Sequence, residues 1–217
     1  MAHVLSDVLS AAEARALFEA AAALPFEDGA KTAGRLAKRV KDNQQAADGT
    51  DTQAVLARLE RALLAHPVFG ALAYPKSFAK LLVSRTEGGG QYGAHVDNAL
   101  MNGARTDLSF TLFLTPPEDY VGGELVIMDG LEDRAVKLGQ GELILYPSDS
   151  LHRVEPVTEG ARLVIVGWVQ SFVSDPRARE ILFDLWTAAS VAEAAEDFAQ
   201  VKRISKARSN LLRMWAV

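Results

Sequence analysis

The chain has 217 residues, and 49% of them are hydrophobic, which is enough to bury a core for one domain with an appendage or for two small domains. Its net charge of −5 argues against broad binding to nucleic-acid backbones, which requires a surplus of Lys and Arg on one face. The absence of cysteine excludes disulfides, thiolate metal sites and cysteine nucleophiles.

The start of the chain lacks the basic-then-apolar pattern of a signal peptide, and no apolar run approaches the roughly 20 residues that span a bilayer. We therefore expect a cytoplasmic protein with neither nucleic acid nor a membrane as its partner.

The N-terminal part of the chain is predicted to be mainly helical. Ser10 and Glu13 match a capping box at the start of a helix over residues 10–24, which Pro25 ends. Residues 29–49 are predicted to form a loop with one short element, and residues 52–64 a second helix.

The middle of the chain has the pattern of a β protein. Short apolar runs are separated by glycine-containing turns, which indicates a sandwich or barrel of short strands. The predicted strands cover residues 78–85, 108–114, 124–128, 134–138, 142–146 and 162–173.

The last section, residues 175–217, is predicted to be helical again. Asp175 and Pro176 suit the N-cap and first helical position, and Ser190 is predicted to open a further helix. We expect this tail to dock through an apolar stripe, either on its own barrel or on a second subunit as a homo-oligomer. The stripe contains Ile181, Leu182, Leu185, Trp186, Phe198, Val201, Ile204, Leu211 and Trp215.

The tail also carries a basic run, which is a candidate nucleic-acid patch. The more economical interpretation is the solvated face of an amphipathic helix. The run consists of Lys202, Arg203, Lys206, Arg208 and Arg213.

The strongest chemical signal is the segment Tyr92-Gly93-Ala94-His95-Val96-Asp97. Residues separated by one point to the same side of an extended chain, so His95 and Asp97 can hold one ion together. His152 follows several strands later, and a closed barrel can return it to the same mouth. A His-x-Asp triplet alone is often incidental, but two imidazoles and a carboxylate form the facial triad of non-haem iron oxygenases.

Arg162 follows His152 by ten residues and strengthens this hypothesis. A strand from His152, a turn at residues 158–160 and a return strand from Arg162 would form a hairpin that directs the guanidinium inward. An inward Arg implies an anionic guest, because burying it unpaired is costly. Spacing alone leaves open the alternative that Arg162 faces solvent beside Glu159.

These residues resemble the 2-oxoglutarate/iron(II) dioxygenase superfamily, and specifically the PKHD-type hydroxylases, relatives of the prolyl hydroxylases. The resemblance covers nearly the whole chain and rests on residues 39–45, 92–99, 122–125, 146–148, 152–158 and 167–171. It implies that His95, Asp97 and His152 are catalytic iron ligands and that Arg162 anchors the distal carboxylate of 2-oxoglutarate.

The resemblance also implies a fold, a reaction and cofactors. The fold is mainly β with flanking helices, an α+β chain whose core is a double-stranded β-helix (jelly roll). We expect an N-terminal helical support in residues 1–77, the oxygenase core in 78–174 and a helical extension in 175–217. The cofactors are Fe(II), 2-oxoglutarate and O2, with ascorbate as a reductant, and a small molecule or peptide is hydroxylated while succinate and CO2 are released.

Several further residues are candidates for the site. Tyr92 can donate its hydroxyl to 2-oxoglutarate or to substrate, or be a rim tyrosine, whereas Tyr146 is expected to pack in the barrel. The loop with Asn98, Met101, Asn102 and Arg105 could cover the substrate or be a plain connector.

The family motif also includes Lys41, Asp42 and Asn43, for which it implies a lining role. His3 and His66 have no partners at metal spacing and are predicted to be structural. Two rival functions are a cupin-like metal-binding jelly roll without oxygenase activity and an interaction module that binds through its helical tail.

Overall fold

A computed structural model describes residues 2–29, 40–128, 130 and 132–217. Its helices are α1 (Ala11–Ala22), α2 (Thr50–Ala65), α3 (Pro67–Ala73), α4 (Pro176–Ala194) and α5 (Phe198–Trp215). Its strands are β1 (His3–Leu5), β2 (Phe26–Asp28), β3 (Lys41–Asp42), β4 (Gln44–Ala46), β5 (Pro75–Glu87), β6 (Gln91–His95), β7 (Leu100–Met101), β8 (Ala104–Arg105), β9 (Leu108–Phe113), β10 (Tyr120–Gly122), β11 (Leu125–Met128), β12 (Asp133–Val136), β13 (Leu143–Pro147), β14 (Leu151–Val154) and β15 (Val157–Ser171).

Two antiparallel sheets form the core of the molecule. The larger has eight strands in the order β1-β13-β9-β15-β5-β4-β2, with β10 beside β15, and the smaller has five in the order β12-β11-β14-β6-β3. A separate hairpin joins β7 to β8. The predicted fold class, mainly β with flanking helices, is confirmed.

Strand β9 shows how the larger sheet separates two layers. All six of its side chains are buried. Leu108, Phe110 and Leu112 join the cluster formed with the N-terminal helices, whereas Phe113 packs with residues of the smaller sheet. Because successive side chains alternate between the faces of a strand, one face of the sheet supports the helices and the other lines the space between the sheets.

The N-terminal part contains more β structure than predicted. The described residues of the predicted loop at 29–49 include two short strands, β3 and β4, which extend the smaller and the larger sheet respectively, while residues 30–39 lie outside the described part. Short polar strands such as these lack the alternating apolar pattern that identifies a strand in sequence.

Helix α3 was not predicted, because the sequence analysis ended the helical pattern at residue 64. Pro67 occupies the first position of α3, where a missing N–H costs nothing. The backbone N–H of Phe69 donates to Nδ1 of His66 at 3.2 Å, so His66 has the structural role predicted for it. His3, the other histidine predicted to be structural, makes an edge contact with the ring of Phe183.

The tail forms a helical hairpin that packs on the end of the larger sheet. The predicted N-cap is confirmed, since Asp175 accepts hydrogen bonds from the first turn of α4. Leu182 is fully buried with Val173, and Leu211 and Trp215 of α5 pack against them. Phe198 was predicted on the inner face but is 61% exposed, because it is the first residue of α5 and lies far from this cluster.

The prediction that Ser190 begins a new helix is wrong. Ser190 lies inside α4, and its hydroxyl donates to the backbone carbonyl of Trp186 at 3.0 Å. That bond to the preceding turn lets a serine remain within a helix. The break falls instead at Glu196, which has a positive φ of 56°, and Asp197 caps α5. No helix within the described ranges is both long and apolar enough to cross a membrane.

Candidate active site

Strands β6 and β14 are neighbours in the smaller sheet and bring two histidines together. His152 pairs directly with His95 in the strand register, and Asp97 follows two residues after β6 ends. Nε2 of His95 lies 3.9 Å from Oδ1 of Asp97, and Nε2 of His152 lies 3.9 Å from Oδ2. The three side chains offer ligand atoms that all lie within 4.8 Å of one another.

Both imidazole rings are oriented by backbone carbonyls. Nδ1 of His95 lies 2.9 Å from the oxygen of Gly93, and Nδ1 of His152 lies 2.9 Å from the oxygen of Ser150. A carbonyl only accepts, so each Nδ1 carries the hydrogen and each Nε2 presents a lone pair toward Asp97. Burial, and then the neighbouring His152, lowers the pKa of His95 to about 4, so this ring is neutral at physiological pH.

A pair of buried hydroxyls fixes the carboxylate of Asp97. The hydroxyl of Ser109 donates to Oδ2 of Asp97 at 2.6 Å, and the hydroxyl of Ser148 lies 2.8 Å from that of Ser109. Ser109 is on β9 and Ser148 directly follows β13, and both are almost completely buried. Two imidazole nitrogens and one carboxylate, each held by an outer hydrogen bond, suit a divalent transition metal such as iron(II).

Arg162 lies on β15 and is buried, with 3% of its surface exposed. Its Nε has no hydrogen-bond partner, and no carboxylate of the described residues forms an ion pair with it. The guanidinium carbon lies 5.3 Å from the centroid of the Phe113 ring. Burial lowers the pKa of Arg162, although a guanidinium stays charged in proteins. A buried cation without an anion fits a binding site for a carboxylate.

The predicted hairpin between His152 and Arg162 is wrong, although the inward direction of Arg162 is right. Strand β14 belongs to the smaller sheet, and β15 belongs to the larger one, where Arg162 pairs with Thr86 of β5. Gly160 lies inside β15 rather than in a turn, and its positive φ of 69° lets the backbone of β10 approach closely.

Gly123 makes room for the guanidinium. Its φ is +70°, and a Cβ at this position would lie 2.9 Å from Cδ of Arg162 and 3.0 Å from the ring of Tyr120. Glycine is therefore needed here both for the backbone conformation and for the space beside Arg162.

One cavity of about 290 Å³ joins the His95, Asp97 and His152 cluster to Arg162. Its wall between them is formed by Thr111, Leu125, Tyr146, Val154 and Val166. Tyr146 is buried as predicted, and its ring meets that of His152 edge-on at 5.2 Å. Burial raises the pKa of Tyr146 well above its usual value, so the wall presents a neutral hydroxyl.

Tyr92 lies against the histidine cluster. Its ring stacks on that of His95 with centroids 3.6 Å apart. Lys41 is on the neighbouring strand β3, and its Nζ lies 5.3 Å from the centroid of the Tyr92 ring. Burial, and then the charge of Asp97, raises the pKa of Tyr92 to about 12. The hydroxyl therefore remains protonated and able to donate at physiological pH.

The hairpin of β7 and β8 borders the mouth of the cavity. Asn98, Met101 and Asn102 line the cavity, and the side chain of Asn102 donates to the carbonyl of Ala79 at 3.0 Å. Arg105 does not line it, because its guanidinium pairs with both oxygens of Asp107 at 2.6 and 3.0 Å.

The motif around Lys41 divides between the two faces of the chain. Lys41 and Asn43 line the cavity, whereas Asp42 points to the exposed side, as alternation on a strand requires. Arg39, the first residue of this motif, lies outside the described residues.

The sequence analysis did not identify Ser109, Ser148, Trp168 or Lys80 as part of the site. Lys80 and Trp168 are direct partners on β5 and β15, and both line the cavity. The available signal was period two along these strands, since residues 80, 82, 84 and 86 all face the cavity. The register that places them beside Asp97 is not encoded locally.

The comparisons with known proteins agree with this geometry. The family model that describes the 2OG-Fe(II) oxygenase superfamily matches residues 81–170 of the sequence. A PKHD-type hydroxylase of Acaryochloris marina is 47% identical over 220 residues, which cover 100% of both chains. One from Parvibaculum lavamentivorans is 47% identical over 190 residues, covering 88% of this chain and 87% of the relative.

Among solved structures, a prolyl-4-hydroxylase of Pseudomonas putida is similar with a TM-score of 0.56 and 21% identity, covering 78% of this chain and 92% of that one. At this identity the likeness supports the fold alone. The 2-oxoglutarate-bound viral collagen prolyl hydroxylase of Paramecium Bursaria Chlorella virus-1 has a TM-score of 0.52 at 18% identity, covering 78% of this chain and 96% of that one.

The extent of the sequence identity distinguishes an enzyme from a metal-binding jelly roll or an interaction module that shares only the fold. The chain belongs to the PKHD-type hydroxylases of the 2OG-Fe(II) oxygenase superfamily and is a dioxygenase.

Proposed function

We propose that His95, Asp97 and His152 hold iron(II), and that Arg162 anchors the distal carboxylate of 2-oxoglutarate. The reaction consumes 2-oxoglutarate, oxygen and a substrate with a C–H bond, and yields succinate, CO2 and the hydroxylated product. The substrate is a small molecule or a peptide, rather than nucleic acid or a membrane component. Ascorbate is the proposed reductant that keeps the iron in its ferrous state.

One observation supports this proposal above all others: a buried, unpaired guanidinium shares a cavity with a cluster of two imidazoles and a carboxylate. A metal-binding jelly roll without an organic co-substrate gains nothing from burying Arg162, and an unsatisfied buried charge is costly. The arrangement suits a dicarboxylate that binds the metal at one end and a guanidinium at the other.

The side chains have separate tasks. When bound, iron(II) supplies the redox chemistry by which oxygen decarboxylates 2-oxoglutarate and hydroxylates the substrate. His95 and His152 would hold the ion through Nε2, because both Nδ1–H groups donate to backbone carbonyls. The apolar part of the wall, including Leu125 and Val166, excludes water, and the Tyr92 hydroxyl is positioned to donate to a bound ligand.

The test is an Asp97→Ala variant, because Asp97 is the proposed anionic protein ligand of the metal. We expect iron(II) affinity to fall by more than about 100-fold, beyond the 10- to 100-fold loss typical of removing a ligand's hydrogen-bond partner. Succinate formation from 2-oxoglutarate should disappear. Metal affinity is measured by anaerobic calorimetry and succinate by mass spectrometry.

Asp149→Ala is the matched control, since Asp149 is an exposed carboxylate close to His152 in sequence. It should bind metal and form succinate like the wild type. Wild-type succinate formation by Asp97→Ala would overturn the assignment of the metal ligands.

A further inference from the structure

The mouth of the cavity carries two lysines that the proposed reaction does not use. Lys41 on β3 and Lys80 on β5 both line the cavity, and both are partly buried. Neither forms an ion pair within the described part of the chain. Burial, and then the charge of Lys80, lowers the pKa of Lys41 to about 8, although the charges of Asp28 and Asp97 act in the opposite direction.

The charges of the cavity do not balance when the proposed iron and co-substrate are bound. The described residues that line it include three cations, Lys41, Lys80 and Arg162, but a single carboxylate, Asp97. Iron(II) and the 2-oxoglutarate dianion carry equal and opposite charges and cancel. Two positive charges therefore remain, and a partly dry cavity makes such an excess costly.

The backbone of Lys80 lies away from that of Arg162. Lys80 pairs with Trp168, and Arg162 pairs with Thr86, so six residues separate the two pairs on both strands. This separation corresponds to about 20 Å of extended backbone. Trp168 and Lys80 lie instead beside Ser109, the residue that holds Asp97. A co-substrate held by Arg162 at the other end leaves this end free for another molecule.

Two further features concern the hydrogen-bond donors and the aromatic rings near Lys80 and Lys41. The indole N–H of Trp168 is buried and has no hydrogen-bond acceptor among the described residues. Lys41 lies over Tyr92, which stacks on His95, so one aromatic ring separates the ammonium from a proposed metal ligand. The side chains here offer hydrogen-bond donors, which favours an acceptor-rich ligand.

We propose that Lys41 and Lys80, together with Trp168, form a subsite for an anionic oxygen group, a carboxylate or a phosphate, carried by the molecule that is hydroxylated. This inference rests on the proposed function, because it assigns Arg162 and the metal to the co-substrate. Since the subsite adjoins the histidine cluster, the carbon that is hydroxylated lies only a few bonds from the anionic group.

The experiment uses the full chain loaded with Mn(II) and saturated with 2-oxoglutarate without oxygen. Two pairs of probes differ in charge, N-acetylalanine with N-acetylalaninamide and methyl phosphate with trimethyl phosphate. Paramagnetic relaxation of the probe nuclei by Mn(II) reports both binding and proximity to the metal. We expect one or both anions to bind about tenfold to hundredfold more tightly than the neutral partner, and the pair that shows the preference identifies the group.

The variants Lys41→Met and Lys80→Met remove the charges and keep most of the length of the side chain. Each should reduce the preference for the anion about tenfold, and Lys80→Arg should retain it. Lys202→Met is the matched control, since Lys202 is exposed on α5, and it should behave like the wild type.

The failures can be told apart. If Mn(II) or 2-oxoglutarate does not bind, the proposed function fails, and the subsite fails with it. If both bind but charged and neutral probes bind equally, or if the preference survives in the double lysine variant, only the subsite proposal is overturned. A large loss of 2-oxoglutarate affinity in Lys80→Met would assign Lys80 to the co-substrate and would also overturn it.

Discussion

Replacing Arg162 by alanine tests whether this residue binds 2-oxoglutarate without contributing to metal binding. The guanidinium is buried, has no carboxylate partner and contacts the wall beside Gly123 and Phe113. In the variant, the distal carboxylate of 2-oxoglutarate would enter the same enclosed space without its counter-charge. The proposed metal ligands would be unchanged, because Asp97 is held by Ser109, which pairs with Trp168, six residues along β15 from Arg162.

The magnitude follows from the burial of the pair. Removing one partner of a buried, hydrogen-bonded charge pair costs about 2–5 kcal/mol. At about 1.4 kcal/mol for each factor of ten, the affinity for 2-oxoglutarate should fall by roughly 30-fold to several thousand-fold. Arg162→Lys should recover only part of this loss, because an ammonium cannot form two parallel hydrogen bonds with a carboxylate.

The assay is a titration of 2-oxoglutarate into Mn(II)-loaded protein without oxygen, accompanied by thermal unfolding of the metal-free form. The metal-free variant should unfold at no lower a temperature than the wild type, because the substitution removes an unpaired buried charge. Unchanged 2-oxoglutarate affinity would refute the assignment and would direct attention to Lys80, since Arg85 is paired with Glu87 at 2.7 Å.

Two further predictions follow from hydrogen bonding and packing. Ser109→Ala should weaken iron(II) binding about 10- to 100-fold, because it frees the carboxylate of Asp97 to rotate. Anaerobic calorimetry measures this affinity. Unchanged affinity would mean that Ser109 does not orient the carboxylate of Asp97. Leu182→Ala should lower the free energy of unfolding by about 2–5 kcal/mol in urea titrations, because Leu182 is fully buried under the tail. Val191→Ala is its control on the same helix, at 65% exposure, and an equal loss in both variants would contradict docking through Leu182.

The sequence predicted those features that depend on local geometry. His95 and Asp97 lie two residues apart, so an extended chain is enough to place them together. The helix caps at Ser10 and Asp175 were likewise predictable from the sequence, because each cap involves residues within one turn of helix.

Features that depend on strand register were not predicted correctly. The hairpin proposed between His152 and Arg162 does not form, because Gly160 provides a close approach between strands instead of a turn. Lys80 lies beside Trp168 only because β5 and β15 pair in one register out of several. Residues far apart in sequence acquire such neighbours through the packing of the whole sheet, which no window of sequence contains.

Strand β15 carries both Arg162 and Trp168, and it is hydrogen-bonded to β5 on one side and to β9 on the other. A central strand paired on both sides is among the last parts of a protein to open, so the spacing between these two side chains is set by the backbone and not by loop motion. The hairpin of Leu100–Met101 and Ala104–Arg105, in contrast, is a separate two-stranded unit at the rim. Substitutions in this rim hairpin are therefore expected to change which molecule is accepted without moving Arg162, the proposed anchor of the co-substrate.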